Sequence, residues 1–269
     1  MKKTILWIAA ILMAAGCAQK KTEEKTVLGL GTQYYLFPEN LKGKVKEMHE
    51  TNFWATEQDG KFTKGAPMTW KDLDSVGSLK NTIEYFDESG SVVKEENIDE
   101  NNTVRYRMVK SSPDKWERFR ADTSYSYIKP ELSAAGVLTG LKIYRTGKDT
   151  LVQAQVLSYD GNGFLTKLEF FNYKNEKAGT QELTTNKEGL LTNVRFLNGK
   201  DSLVQSIAQK FDDNGFMTEQ NVDVVKPAEK IIWKFTPLKF DDHGNWTMEV
   251  QDVDNGKFRF ITERTYVYY

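Results

Sequence analysis

A short polar turn that ends in glycine recurs along most of this chain of 269 residues. Its five clearest copies are residues 86–90, 159–163, 185–189, 211–215 and 240–244. Four of them read aromatic-Asp-x-x-Gly, and the glycines at positions 163, 189, 215 and 244 are separated by 26, 26 and 29 residues. Gly136 lies 27 residues before Gly163 and extends the series. A nearly fixed spacing of this length predicts an array of similar supersecondary units.

A second polar turn lies about halfway between successive glycines. Residues 146–153 (TGKDTLVQ) are nearly repeated by residues 198–205 (NGKDSLVQ), with a displacement of 52 residues, which is twice 26. Asn175, Pro227 and residues 254–256 occupy comparable midpoints in other copies. Each repeat therefore consists of two segments and two turns, which is the organisation of a β-hairpin.

The segments between the turns alternate apolar and polar side chains. After residue 78, one face carries Leu79, Ile83 and Tyr85, and the other carries Thr82 and Glu84. A period of two is typical of a half-buried antiparallel strand. No amphipathic helix is predicted beyond the N-terminal leader. Because one apolar face cannot stay in water, we predict an all-β fold: an antiparallel meander of tandem hairpin repeats whose sheet is curled or partly closed.

Composition excludes several classes of protein. The chain has 37 Lys and Arg against 38 Asp and Glu, a formal net charge of −1, and nucleic-acid-binding proteins are normally basic. A single cysteine excludes an intrachain disulfide framework and any cysteine-rich metal site. We therefore expect no cofactor and no nucleic-acid partner.

The N-terminus carries a targeting signal. Two lysines precede an apolar run at residues 5–13, which is too short for a transmembrane helix of about 20 residues. Ala14, Ala15 and Gly16 then lead into Cys17, and this arrangement resembles the bacterial lipobox, although Ala14 stands where Leu is commonest. The resemblance implies a signal peptide at residues 1–16 and lipidation of Cys17 as the mature N-terminus.

The rest of the predicted domain organisation follows from this leader. Residues 17–33 form a lipidated, flexible tether, and residues 34–269 form a single all-β hairpin-repeat domain. The predicted location is the outer membrane, with a lipid anchor and a domain that faces the periplasm or the cell surface. The alternative is a cleaved, soluble periplasmic protein in which Cys17 is incidental.

Two further motifs carry a family resemblance. The aromatic-Asp-x-x-Gly turns are similar to the YD repeats of Rhs-type bacterial proteins. Residues 41–47 (LKGKVKE) and 241–247 (DDHGNWT) resemble signatures of lipoproteins from Bacteroidetes-type bacteria that contain YD-like hairpin repeats. Those lipoproteins have no assigned biochemistry, so the resemblance implies an extracytoplasmic repeat protein and transfers no catalytic residue.

Candidate chemical groups are few. His49 falls in a predicted strand and His243 in a turn, and a structural role is favoured for both. The acidic turns at residues 212–215 and 252–256 suggest calcium, but the twelve-residue frame of an EF-hand is incomplete. Aspartate and asparagine also serve tight turns by bonding the local backbone. No catalytic, metal or cofactor residue is therefore predicted.

Aromatic residues leave the question of a binding surface open. The tryptophans beyond the leader are Trp54, Trp70, Trp116, Trp233 and Trp246. They suit either core packing or a platform for sugars and peptides. The function predicted is a non-enzymatic, lipid-anchored binding or scaffold protein of the cell envelope, with an envelope protein or a glycan as candidate partner. The alternatives are a surface hydrolase of polysaccharide or peptide that uses a carboxylate pair, and lipid carriage inside a closed barrel.

Overall fold

The computed structural model describes residues 41–76 and 80–269, which form seventeen strands and one short helix. The strands are β1 (Val45–Gln58), β2 (Lys61–Pro67), β3 (Asn81–Phe86), β4 (Val92–Ile98), β5 (Val104–Ser112), β6 (Lys115–Arg120), β7 (Thr123–Leu132), β8 (Leu138–Arg145), β9 (Thr150–Tyr159), β10 (Leu165–Asn172), β11 (Lys177–Thr185), β12 (Leu191–Asn198), β13 (Leu203–Phe211), β14 (Met217–Val224), β15 (Glu229–Phe240), β16 (Trp246–Val253) and β17 (Phe258–Tyr268). Helix α1 (Trp70–Ser75) lies between β2 and β3.

The strands form one closed antiparallel barrel. From β3 to β17 each strand pairs with the next strand in sequence, and β17 pairs back with β1, from Val45–Tyr268 to Trp54–Phe260. Because β1 also pairs with β3, sixteen of the seventeen strands form the closed ring. Strand β2 pairs with the far end of β1 and stands outside the ring. The predicted all-β meander is confirmed, and closure is complete rather than partial.

The repeated turns all lie at one end of the barrel, which we call the turn end. They occupy residues 87–91, 133–137, 160–164, 186–190, 212–216 and 241–245. In the turn after β9, the amide of Asp160 donates to the carbonyl of Phe164 at 2.8 Å, and the Asp160 side chain accepts the amides of Asn162 and Phe164. Gly163 has φ +84°, a conformation that glycine adopts at little cost.

Each of these turns is followed by a β-bulge, which determines the direction of the side chain two residues beyond the glycine. The bulge after the turn at 160–164 lies between Leu165 and Lys167. A bulge places an extra residue in one strand and redirects its side chains. The redirected side chains join the core at the turn end: Leu138, Leu165, Leu191 and Met217, all at most 8% exposed.

Alternate side chains of the strands point into the barrel and form a packed core. Val194, Ile207 and Val222 are cross-strand neighbours on β12, β13 and β14, and each is at most 2% exposed. Trp116 and Phe260, on distant strands, belong to the same apolar cluster and are fully buried. Inward side chains on an open channel would contact water, so these positions form a core rather than a pore lining.

Many outward side chains are polar or charged, and they are interspersed with exposed apolar residues such as Val156 and Val267. Arg195 pairs with Glu182 at 2.6 Å across β12 and β11, and Lys210 pairs with Glu219 at 2.8 Å across β13 and β14. Exposed pairs of this kind contribute at most about 1 kcal/mol each. Their main consequence is that they make this wall of the barrel compatible with water.

Strand β3 reverses the expected relation between polarity and burial. The predicted alternation is confirmed, but Thr82 and Glu84 are the buried, inward residues, whereas Ile83 and Tyr85 are half-buried and point outward. Leu79 lies outside the described residues. Alternation defines two faces of a strand without showing which face meets the core.

Helix α1 was not predicted and corrects the expectation that no helix follows the leader. Thr69 and Asp72 form a capping box, and Leu73 is 1% exposed within the apolar cluster. The amide of Trp70 donates to Glu100 at 2.8 Å, which holds the helix against the turn between β4 and β5, at the end opposite the turn end. Six residues are too few to show helical periodicity. No helix among the described residues is long and apolar enough to cross a membrane.

Candidate functional site

The two segments singled out as family signatures meet at the turn end, where they join the first and last strands. Asn245 accepts the amide of Lys42 at 2.7 Å and donates to the carbonyl of Lys42 and to the hydroxyl of Tyr268, both at 2.8 Å. The amide of Tyr269 donates to the carbonyl of Lys44 at 3.0 Å. We call this arrangement of residues 42–44, 241–245 and 268–269 the clasp. It ties together parts of the chain about 200 residues apart.

A half-buried hydroxyl–carboxylate pair forms the centre of the clasp. The hydroxyl of Tyr268 donates to Asp241, which also accepts the amides of His243 and Asn245. Burial, and then the bond to Asp241, raises the pKa of Tyr268 to about 12. Burial alone would raise the pKa of Asp241, but the bonds from Tyr268 and the two amides outweigh it and lower that pKa below its usual value.

Position 43 requires glycine because its backbone has a positive φ and because neighbouring side chains lie very close to it. Gly43 has φ +79°, and a Cβ there would lie 3.0 Å from Nδ1 of His243 and 3.1 Å from the ring of Tyr268. The ring of His243 contacts that of Tyr268 at a centroid distance of 4.0 Å. The signature residues are therefore explained by barrel closure.

Beside the clasp, the barrel wall opens into a cavity of about 270 Å³, which we call the wall cavity. The β16–β17 ladder runs from Val253–Phe258 only to Met248–Glu263, and beyond it β17 continues alongside β1. The cavity occupies the gap that is left. One side is formed by Lys239, Asp241, Thr247 and Met248, and the other by residues 263–266 and Tyr268.

A buried arginine forms the inner part of this cavity. The Arg264 side chain is 4% exposed and bonds Glu50 on β1, with Nε and Nη2 each 2.8 Å from the same carboxylate oxygen. Its guanidinium lies 3.9 Å from the ring centroid of Trp246. A cation held between a carboxylate and an aromatic face is fixed in position.

Arg264 and Glu50 belong to a polar sector of the barrel interior that sequence reasoning missed. The sector covers the inward faces of β16, β17, β1, β3 and β4. Its other buried members are Asn52, Thr82, Glu84, Glu95, Asn97, Glu249, Gln251 and Thr262. On β3 and β16 these residues alternate with less polar ones such as Ile83 and Val250, so in the sequence they have the pattern of a solvent face. Only the closure of β17 onto β1 turns them inward.

The other candidate residues lie in strands, in a turn and in the helix. His49 is an outward residue of β1 at 3.3 Å from Glu47, and His243 is exposed in its turn. Trp54, Trp116 and Trp233 belong to or contact the apolar cluster, and Trp70 begins α1. Cys17 and the segments at residues 1–16 and 17–33 lie outside the described residues.

The carboxylates of the acidic turns have hydrogen-bond partners within the chain. Asp212 accepts the amides of Asn214 and Phe216, and Asp252 bonds Arg259. Within residues 41–76 and 80–269, no group of three or more His, Cys, Asp or Glu is arranged to hold a metal ion. Asp212 and Asp252 therefore bond nearby backbone amides, and Asp252 also bonds the Arg259 side chain.

Comparisons with known proteins bear on the fold. No protein-family model and no curated protein matches the chain. A porin-like protein from Bacteroides uniformis matches with a TM-score of 0.54 over 84% of this chain and 98% of that chain, at 8% identity. A porin-like protein from Bacteroides vulgatus gives a TM-score of 0.37 over 83% and 98%, also at 8% identity. The first likeness shows a shared barrel fold, while the lipoprotein and YD-repeat resemblance stays a prediction.

The clasp predicts a characteristic loss of stability at alkaline pH. The pKa of Tyr268 is raised from 10.0 to about 12. Its contribution to the free energy of unfolding is therefore fully present below pH 10 and is lost as the pH rises toward 12. Tyr268→Phe should cost about 1.5–3 kcal/mol at pH 8, since Asp241 loses a donor. It should then show a smaller further loss between pH 9 and 11.5 than the wild type.

Urea unfolding at the two pH values measures this difference. The pKa values of Tyr85 and Tyr159 are also raised to about 12, so part of the alkaline loss will remain in the variant. Tyr125→Phe, which removes an exposed hydroxyl, is the matched control. An equal alkaline loss in wild type and Tyr268→Phe would show that the clasp hydroxyl does not titrate as described.

Proposed function

We propose that the chain is a non-enzymatic binding or scaffold protein of the cell envelope, anchored by lipid at Cys17, with its barrel surrounded by water. The observation that carries the proposal is the polarity of the barrel. Membrane-spanning barrels have an apolar outer band and a polar interior, and with sixteen strands they enclose an aqueous channel. Here a packed apolar cluster that includes Ile207 and Phe260 lies inside, beside the polar sector, and pairs such as Arg195–Glu182 lie outside. The chain shares its fold with a porin-like protein, and we propose that it does not share a channel function.

The carboxylates of the wall cavity favour binding over hydrolysis. A hydrolase of the predicted alternative kind needs a carboxyl group whose pKa is raised so that it can donate a proton. The pKa of Asp241 is lowered instead, and Glu263 is paired with Lys64 at 2.8 Å. Asp241 is held as a charged acceptor and Glu263 is already bonded to an ammonium, which suits a fixed binding surface.

The anchor is tested by metabolic labelling with a fatty-acid analogue, followed by fractionation. Cys17→Ala should lose the label and leave the membrane fraction or remain unprocessed, because the thiol is the site of acylation. Ala18→Ser, which changes the next residue and keeps the thiol, should label like the wild type. Equal labelling of wild type and Cys17→Ala would remove the lipoprotein part of the proposal.

A further inference from the structure

The wall cavity is the feature of the described surface with the best-defined binding chemistry. We propose that it binds one neutral sugar ring, as a single residue of a glycan. The inference rests on the proposed binding function and names the class of ligand. It uses the shape of the cavity, the groups left open to a ligand, and the balance of charge.

The cavity has rigid aromatic walls. The rings of Tyr266 and Tyr268 lie 6.3 Å apart at an interplanar angle of 36°. Both hydroxyls are already bonded, that of Tyr266 to the carbonyl of Trp246 at 2.9 Å and that of Tyr268 to Asp241. Both rings also pack against the buried cluster of Val45, Met48 and Phe86. Because these bonds and contacts hold the two side chains in place, little side-chain freedom is lost when a ligand contacts their exposed parts. The C–H face of a pyranose suits such a contact.

The polar groups at the rim suit a ligand with several hydroxyls. Thr247, Thr265 and Lys239 line the cavity, and their side chains have no hydrogen-bond or ion-pair partner within the described part of the chain. Two hydroxyls can each donate and accept, and the ammonium donates. They can therefore bond the hydroxyls at the edge of a sugar ring while its face rests on the tyrosines.

The charges around the cavity are nearly balanced, which favours a neutral ligand. Glu263 is paired with Lys64, Arg264 is paired with Glu50, and Lys239 and Asp241 contribute one charge of each sign to the same side of the cavity. A strongly anionic or cationic ligand would meet a carboxylate or an ammonium of its own sign. A neutral ring avoids both kinds of like-charge repulsion.

The size of the cavity limits the ligand to one ring. Its volume of about 270 Å³ is just below the range of about 300–1,000 Å³ of sites for drug-sized ligands. A ligand with so few atoms in an open site should bind with a Kd on the order of 1 mM. Higher affinity would then come from several chains on one surface that engage repeated residues of one glycan.

Saturation-transfer NMR on the full-length Cys17→Ala chain tests the inference. The probes are glucose, galactose, mannose and N-acetylglucosamine, with sorbitol as an open-chain polyol and serine as a zwitterion. We expect saturation of the ring protons of at least one pyranose, and none of sorbitol or serine. Saturation of serine alone would assign the cavity to amino acids, and saturation of no sugar would overturn the proposal.

Isosteric variants locate the binding site. Thr247→Val combined with Thr265→Val removes both rim hydroxyls at nearly constant shape and should weaken binding at least tenfold. Thr123→Val combined with Thr184→Val changes two exposed threonines on β7 and β11, far from the cavity, and should leave binding unchanged. Equal affinities in the two double variants would place the sugar elsewhere and overturn the assignment. Because Cys17 labelling is independent of sugar binding, the proposed envelope anchoring can stand or fall separately.

Discussion

Deleting residues 163–188 should leave a folded β protein, whereas deleting residues 163–175 should not. The first deletion removes β10 and β11 as one hairpin. It joins residue 162 to Gly189, and both belong to equivalent turns at the turn end. Strand β9 then meets β12 through a turn of the original kind, with the original direction and the original in–out alternation.

The shorter deletion removes β10 and the turn that follows it. Strand β9 ends at the turn end, but β11 begins at the opposite end, so residue 162 would have to connect points separated by the length of a strand. At about 3.3 Å per residue, eight residues of strand span roughly 26 Å. The new junction has no residues to cover that distance, so β11 would be reversed or unpaired.

Circular dichroism and thermal melts of the two variants measure this difference. Both lose apolar burial, and a ring of fourteen strands must close with a smaller radius, so both should be less stable than the wild type. The longer deletion should nevertheless keep more β signal and a more cooperative melt. If the shorter deletion performed as well or better, the hairpin would not be the structural unit of the chain.

Local chemistry explains why the strands could be predicted from the sequence. Each repeated turn forms its own hydrogen bonds. In one copy, the Asp160 side chain accepts two amides of the same turn, and Gly163 supplies the positive φ. Such signals lie within five residues and are visible in any copy. The spacing of the glycines then fixes the number and order of the hairpins.

Closure and the polar interior depend on contacts that no local pattern contains. The clasp joins Lys42 to Asn245, 203 residues away, and the pairing of β1 with β17 decides which side of β3 meets the core. In the sequence, Glu84 resembles a solvent-facing residue, yet it is 6% exposed. The wall cavity also depends on where the β16–β17 ladder ends, which is a property of the closed barrel.

The central claim is that the barrel has a packed interior with an apolar core beside the polar sector, and an outside that faces water, and one pair of substitutions tests it directly. Ile207 and Ala208 are neighbours on β13; Ile207 is fully buried and inward, and Ala208 is exposed and outward. Ile207→Asp places an unpaired carboxylate in the core and should cost at least about 4 kcal/mol. Ala208→Asp lies beside Asn193 and Asn221 and should change stability by less than about 1 kcal/mol.

The measurement is urea unfolding of both variants in the Cys17→Ala chain, in buffer without detergent. If Ile207→Asp does not fold, Ile207→Ala provides a measurable free energy of unfolding for this core position, with an expected loss of about 2–5 kcal/mol. We predict that Ala208→Asp unfolds at nearly the urea concentration of its parent and that Ile207→Asp is severely destabilised or unfolded. In a barrel whose outside faces lipid and whose inside is wet, the order would be reversed. An Ala208→Asp chain that proved the less stable of the two would contradict the account.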